Sequence, residues 1–236
     1  MTARPRGLLL VIEGPEGAGK STQVARLGAR LTRDGRSHVE VREPGGTPLG
    51  ERIRELLLAD PGATITAAAE AALFIASRAQ LVEQVIRPAL AKATIVTLDR
   101  FFLSTYAYQI HGRGLDERAL RDANRLATGE LVPDLTLLLT LSSEEGMRRA
   151  DRRGARDRME SSGDAFHRRV EAAFARFART EWQAAHPECG PIVAVDAAGT
   201  EDDVAASIMR ELSSRWPEIF AAGASTEATH SPARVR

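Results

Sequence analysis

Cysteine is almost absent: Cys189 is the only one among 236 residues. One thiol excludes an internal disulfide framework and suits a reducing compartment. Long hydrophobic runs are missing too, and none approaches the roughly 20 residues needed to span a bilayer. Neither sign of charge is in excess, since Lys plus Arg and Asp plus Glu each number 32. No global field therefore argues for nucleic acid or a membrane surface as partner. The five histidines show no metal-ligand spacing such as H-E-x-x-H, and there is no Gly-x-Ser-x-Gly elbow. Zinc and serine-hydrolase chemistry thus have no support. Residues 1–6 carry two arginines, but the apolar run behind them is only about five residues, shorter than a secretory signal requires. The expectation is a cytoplasmic enzyme.

What is present is enough chain for one α/β domain with a sizeable core. There is also an unbroken phosphate-binding signature. Residues 14 to 21 read Gly14-Pro15-Glu16-Gly17-Ala18-Gly19-Lys20-Ser21, the pattern G-x-x-x-x-G-K-S. It follows the apolar run Leu8-Leu9-Leu10-Val11-Ile12 and precedes a helical pattern. Glycines let the backbone curl so that successive N–H groups face phosphate oxygens. Lys20 can reach the outer phosphates, and the Ser21 hydroxyl can ligate Mg²⁺. The positive end of the following helix points to the same place. A plain glycine-rich turn accounts for the glycines but not for Lys-Ser in this context. The segment predicts binding of a nucleoside triphosphate.

Short apolar runs alternate with longer helical patterns along the rest of the chain. Strands are predicted over 8–13, 38–42, 94–99, 135–141 and 192–196. They read as near-continuous apolar segments, as buried parallel strands do. Helices are predicted over 21–34, 47–58, 66–92, 117–128, 143–153, 165–186 and 202–215. Asp34-Gly35 fits a helix end, Asp116 an N-cap, and Pro133-Asp134 a break before the fourth strand. The alternation predicts a P-loop NTPase-type, three-layer α/β/α fold with about five parallel strands flanked by helices. One domain over 1–221 is expected, with 222–236 a disordered polar tail. Sites in such sheets lie beyond the carboxyl ends of the strands. That edge collects Glu13/Gly14, Arg42/Glu43, Asp99/Arg100 and Asp196.

Asp99 ends the third strand, the usual place for the acidic Mg²⁺ partner of a phosphate-binding loop. Arg100 follows and would stand beside the phosphates. The bland alternative is that Asp99 caps a helix and Arg100 pairs with it. Six arginines fall among the eleven residues 148–158. Such a run is often a solvated face, yet arginine's planar fork also grips phosphate and stacks on bases. Gly154 interrupts the run as a hinge would, which suggests a lid over about 146–163 that excludes water. Phe74 and Arg78 share a helix face. By residue type they suit a core aromatic and a surface cation as well as they suit a base-binding pair. Tyr106, Tyr108 and Gln109 are equally open, and Tyr108 fits a core aromatic with a bonded hydroxyl.

Taken in order, these segments resemble the thymidylate kinases. The likeness spans roughly 8–215. It rests on Ile12-Glu13-Gly14-Pro15-Glu16-Gly17-Ala18-Gly19-Lys20-Ser21, Arg42-Glu43-Pro44-Gly45-Gly46-Thr47 and Ser77-Arg78-Ala79-Gln80. Further on come Asp99-Arg100 with Ser104-Thr105-Tyr106-Ala107-Tyr108-Gln109, then Pro133-Asp134-Leu135-Thr136 and Asp157-Arg158-Met159-Glu160. It looks like the bacterial type with arginines in the lid and no basic residue between Gly14 and Gly19.

The resemblance implies transfer of the γ-phosphate of ATP to dTMP with Mg²⁺, held by Ser21 and Asp99. ATP would lie on Gly14, Pro15, Glu16, Gly17, Ala18, Gly19, Lys20, Ser21 and Thr22, with Arg149 and Arg153 folded over it. The dTMP side would use Glu16, Pro44, Phe74 stacked on thymine, Arg78 on the base edge, and Arg100 on the phosphate. Ser104, Thr105, Tyr108 under the sugar, Gln109 and Glu160 complete it. Catalytic roles would fall to Lys20, Arg100, Arg153 as an in-chain arginine finger, and Glu16. Phe101 replaces a frequent tyrosine, and Arg152 and Arg156 are additional lid arginines. A homodimer is implied as well, which the apolar circumference of the helix over 66–90 supports. Another nucleoside monophosphate kinase is the nearest alternative. A GTPase switch lacks its Asn-Lys-x-Asp guanine reader, and intact Lys20, Ser21, Asp99 and Arg100 argue against an inactive binding module.

Overall fold

The computed structural model describes residues 6–59, 64–151, 158–159 and 161–221. Five strands form one fully parallel sheet in the order β2-β3-β1-β4-β5. They are β1 (Leu9–Glu13), β2 (His38–Arg42), β3 (Ile95–Asp99), β4 (Leu135–Thr140) and β5 (Ile192–Asp196). Each lies within one residue of its expected bounds. The central strands β1 and β3 are buried throughout, whereas the edge strand β2 exposes Glu40 and Arg42. The register sets Ile12 and Arg42 on either side of Asp99, so the carboxyl-edge residues do converge.

The helices are α1 (Lys20–Arg33), α2 (Pro48–Leu58), α3 (Ala67–Leu81), α4 (Arg87–Ala91), α5 (Phe102–Ser104), α6 (Glu117–Thr128), α7 (Ser143–Asp151), α8 (Asp164–Phe177), α9 (Thr180–Ala185), α10 (Glu201–Arg215) and α11 (Pro217–Phe220). Side chains alternate across the sheet, and this divides the core in two. Leu9, Val11, Val96 and Leu98 pack toward α3, α6 and α8 through Leu81, Leu120, Val170 and Phe174. Leu10, Ile12, Leu137 and Leu139 pack toward α1 and α10 through Val24, Leu27, Ile208 and Leu212. The result is the expected three layers.

Three helical expectations need correction. The helix over 66–92 is α3 and α4 joined by a wide π-type turn, Val82–Ile86. The helix over 165–186 breaks at Arg179, whose backbone is extended. The break lets Trp182 fold back onto Phe177, with ring centroids 4.4 Å apart, and stack on His186 at 3.8 Å. Finally, α5 and the wide helical segment Thr105–Gly112 form one rod where no helix is expected. Of the predicted helix over 143–153, the last two residues lie outside the described residues, as does the proposed tail 222–236.

The caps follow their chemistry. Asp116 accepts from Ala119 N at 2.8 Å, and Gly35 takes φ 66 after the α1 C-cap Asp34. Thr200 and Asp203 form a reciprocal capping box on α10.

Candidate functional site

A cavity of about 760 Å³ opens over the carboxyl edge of the sheet, a volume typical of small-molecule sites. One end is the phosphate loop between β1 and α1. Gly14 runs at φ 145, and a Cβ there would sit 2.5 Å from Leu139 O. At Gly17, with φ 73, a Cβ would strike Gly146 O at 2.2 Å. Only glycine lets the loop wrap this closely past β4 and α7. Gly19 precedes α1 with no side-chain cap, so the positive helix end is left for a ligand anion.

Lys20 turns into the loop, and its Nζ donates to Gly14 O at 2.9 Å and Pro15 O at 2.7 Å. Burial, then the Arg100 charge, lowers its pKa to about 7, against the opposing pull of Asp99, Glu13 and Glu16. Ser21 Oγ donates to Asp99 Oδ2 at 2.5 Å. Asp99 Oδ1 is buried with no hydrogen-bond donor among the described residues. A hydroxyl and a carboxylate with an unused oxygen, both hard donors, fit Mg²⁺, which takes few protein ligands and completes its shell elsewhere. No cluster of three His, Cys, Asp or Glu side chains suits a metal among the described residues.

Toward the other end stands Arg100, in the left-handed region at φ 70. Its Nη1 reaches Ser104 Oγ at 3.2 Å and Tyr108 OH at 3.4 Å, and the guanidinium lies over the Tyr108 ring. Burial disfavours its charge, but Tyr108, Asp99, Glu13 and Glu16 together outweigh that and hold it firmly protonated. Tyr108 OH donates to Glu16 Oε1 at 3.2 Å, which links Glu16 of the loop to the Arg100 end of the cavity. Burial, with Glu16 adding to it, pushes the phenol up. Tyr108 therefore belongs to the core and also lines the cavity.

Phe74 is half-buried and lines the cavity without joining either core. Arg78 is no surface cation, being 2% exposed. Its Nε and Nη2 bind Glu43, Nη1 binds Thr105 Oγ1 and Asn124 Oδ1, and Nη2 also binds Phe101 O. All five N–H groups of the guanidinium are thus engaged within the protein. Burial pushes the Glu43 carboxyl up, against the pull of Arg78. Pro44, Ser104, Thr105 and Gln109 line the same wall.

Beside the phosphate loop, Arg149 of α7 bonds Glu145 Oε1 at 2.7 Å, Ala197 O at 3.0 Å and Ala198 O at 3.3 Å. This ties α7 to the loop after β5. Arg153, Glu160, Arg152 and Arg156 lie outside the described residues.

Several lining residues escape the sequence reading. Thr200, Glu201 and Val204 line the cavity, as do Arg54 and Met159. Met159 falls in the Asp157-Arg158-Met159-Glu160 segment without a role of its own there, and the other four belong to no local motif and meet only through the topology. Glu70 on α3 also escapes it; it does not line the cavity and is fully buried among Gln109, Arg113 and Arg158. The only local signal for it is a carboxylate in an apolar helix.

A loop shaped for one set of phosphates, opening on a pocket in which Arg100 stands opposite Lys20, is the plan of P-loop nucleoside monophosphate kinases. A sequence profile described as thymidylate kinase matches residues 12–188. The thymidylate kinase of Deinococcus radiodurans is 46% identical over 210 residues, covering 89% of this chain and 98% of that protein. That of Thermomicrobium roseum is 49% identical over 192 residues, covering 80% and 90%. That of Pseudomonas putida strain W619 is 49% identical over 176 residues, covering 75% and 85%. The chain belongs to the thymidylate kinase family.

Proposed function

We infer that the protein transfers the γ-phosphoryl group of ATP to dTMP, giving ADP and dTDP. The observation that carries this reading, beside family membership, is the one cavity shared by Lys20 and Arg100. A donor and an acceptor phosphate can both enter it. A phosphate oxygen of dTMP attacks the γ-phosphorus, and the bond to the β-phosphate oxygen of ATP breaks in line. The attacking oxygen is already anionic near neutral pH, so no general base is required. What the protein supplies is position and positive charge.

Lys20, leaving the carbonyls of Gly14 and Pro15, binds the outer phosphates of ATP. Arg100 binds the acceptor phosphate and draws the two anions together. Ser21 and Asp99 would hold Mg²⁺, which neutralises charge on the donor phosphates when bound. Phe74 offers a face for thymine, and Tyr108 and Glu16 face the sugar. With its donors committed, Arg78 lines the base pocket as a fixed wall. Gly14 to Thr22 and Arg149 take ATP, and Arg153 and Glu160 keep the finger and acceptor-sugar roles that the family likeness gives them.

The same reading includes a homodimer. Ala68, Ala69, Ala72 and Ala76 of α3 face outward, while Ala71 faces the core. Leu49 and Leu56 on α2 and Leu126 on α6 are exposed on helices that pack against α3. Small residues flanked by exposed leucines suit a close helix-to-helix contact. Sedimentation at micromolar concentration checks it, and a monomer removes it. No helix among the described residues is long and apolar enough to cross a membrane, and we place the enzyme in the cytoplasm.

The substrate is decided by coupled ADP release with dTMP, dUMP, dCMP, dGMP and dAMP. We expect dTMP to rank first in kcat/KM. A purine monophosphate ranking above it would mean a different member of the nucleoside monophosphate kinases.

A further inference from the structure

Glu13 ends β1 fully buried and does not line the cavity. Its Oε1 accepts the backbone N–H groups of Phe101 at 2.6 Å and Ser104 at 3.0 Å, and its Oε2 accepts the Ser104 hydroxyl at 2.8 Å. These N–H groups open the rod formed by α5 and Thr105–Gly112. The N-cap residue there, Phe101, makes no side-chain cap bond. The first N–H groups of a helix have no partner inside it. A carboxylate from another strand supplies one here, at the end where the helix dipole favours negative charge.

The same turn carries Arg100. A left-handed arginine persists only where its surroundings fix it. Arg100 N is held by Ile12 O at 3.1 Å, and the next N–H, that of Phe101, is held by Glu13. The guanidinium is fixed through Ser104. A carboxylate only accepts, so the single Ser104 hydroxyl proton goes to Glu13 and leaves a lone pair for Arg100 Nη1. One carboxylate thus sets both the backbone turn and the direction of the guanidinium.

We propose that Glu13 is a positioning residue for phosphoryl transfer. It acts through Arg100 and touches neither nucleotide. The inference rests on Arg100 as the acceptor-phosphate contact. A purely structural Glu13 would lower thermal stability and leave the kcat of the folded enzyme intact.

The test uses the full chain with Glu13→Gln and Glu13→Ala, each in the wild-type and Arg100→Ala backgrounds. Steady-state kinetics with MgATP and dTMP are combined with calorimetric MgATP binding and thermal melting. Glutamine keeps the two backbone bonds and loses the acceptor at Ser104, so kcat should fall about tenfold. Alanine frees the turn, and the fall should be about 100-fold. MgATP affinity should stay within about twofold, and on Arg100→Ala either substitution should lower kcat by less than about twofold. Wild-type kcat in folded Glu13→Ala overturns the proposal, as does a loss that multiplies in full on Arg100→Ala. If Glu13→Ala fails to fold, the glutamine pair decides by the same criterion of coupling to Arg100. A wild-type enzyme that prefers another monophosphate refutes the substrate reading alone, and the cycle run on that acceptor decides Glu13 separately.

Discussion

Arg78 and Glu43 form a buried ion pair in which Arg78 Nε lies 2.9 Å and Nη2 2.5 Å from Glu43 Oε2. The remaining donors of the fork hold Thr105, Asn124 and Phe101 O. One side chain thereby joins the loop after β2 to α3, α6 and the turn that carries Arg100. Removing one partner of such a pair strands a buried charge and costs about 3–5 kcal/mol. For a chain of this length each kcal/mol lowers Tm by roughly 2–4 °C. Glu43→Ala should therefore lower Tm by about 6–20 °C. Arg78→Lys should also destabilise, because an ammonium cannot span these acceptors. Thermal unfolding of both variants, and of Glu43→Leu with Arg78→Met, checks this. The double variant should be less destabilised than Glu43→Ala. Single substitutions within about 1 kcal/mol of wild type would show that the pair is not a strut.

Lys20 supplies a pH signature. Held near 7 by burial and by Arg100, it is mostly neutral at pH 8 in the nucleotide-free protein. Phosphate oxygens favour the ammonium form, so binding MgATP at pH 8 should take up close to one proton per site. At pH 6 uptake by this group should vanish. Calorimetry in two buffers of different ionisation enthalpy reads the number directly, and Lys20→Met should abolish it. Without nucleotide the unfolded chain binds more protons than the folded one between pH 7 and about 10.5. Stability should consequently rise through that window, and the rise should be absent in Lys20→Met. Buffer-independent binding at pH 8 would contradict the assignment.

The phosphate loop is legible in sequence because its glycines, Lys20 and Ser21 are contiguous and their flanks are unambiguous. The strands are legible for a related reason: β1, β3 and β4 are buried on both faces, so each reads as an apolar run. The rod over 102–112 is not. Phe102, Thr105, Tyr106, Tyr108 and Ile110 favour strands by type, and its capping carboxylate is Glu13, 88 residues away from Phe101. The burial of Arg78 is hidden for the same cause. An arginine in a helix suggests solvent until Glu43, Thr105 and Asn124 converge on it from three other elements. The break at Arg179 depends on Trp182 reaching Phe177 and Tyr106, a contact that no local pattern encodes.

Glu70 predicts behaviour in acid. Burial alone would raise its carboxyl, but bonds from Arg113, Arg158 and Gln109 outweigh this and hold it below the usual range. A depressed carboxyl contributes stability above its unfolded pKa, about 4.3, and loses it as pH falls through the folded value. Wild type should therefore exceed Glu70→Gln in stability near pH 6, and the gap should narrow on acidification toward pH 3. Urea unfolding at stepped pH measures the gap. A constant difference would place the titration elsewhere.

Ser21 and Asp99 lead to a prediction about metal dependence. Ser21 Oγ sits on Asp99 Oδ2, and Asp99 Oδ1 has no donor among the described residues. If the two act together on one Mg²⁺, Asp99→Asn and Ser21→Ala should each raise the Mg²⁺ concentration for half-maximal rate by about tenfold or more. Because both act on the same ion, the double variant should lose less than the product of the single losses. Binding of ATP in the presence of a chelator should stay within about twofold of wild type for Ser21→Ala. For Asp99→Asn it should tighten, since a negative charge beside the phosphates is gone. Magnesium titrations of rate, set beside metal-free ATP binding, separate loss of the metal from damage to the loop. An unchanged magnesium profile in Asp99→Asn would remove this carboxylate from the metal site and leave it as the partner that orients Ser21.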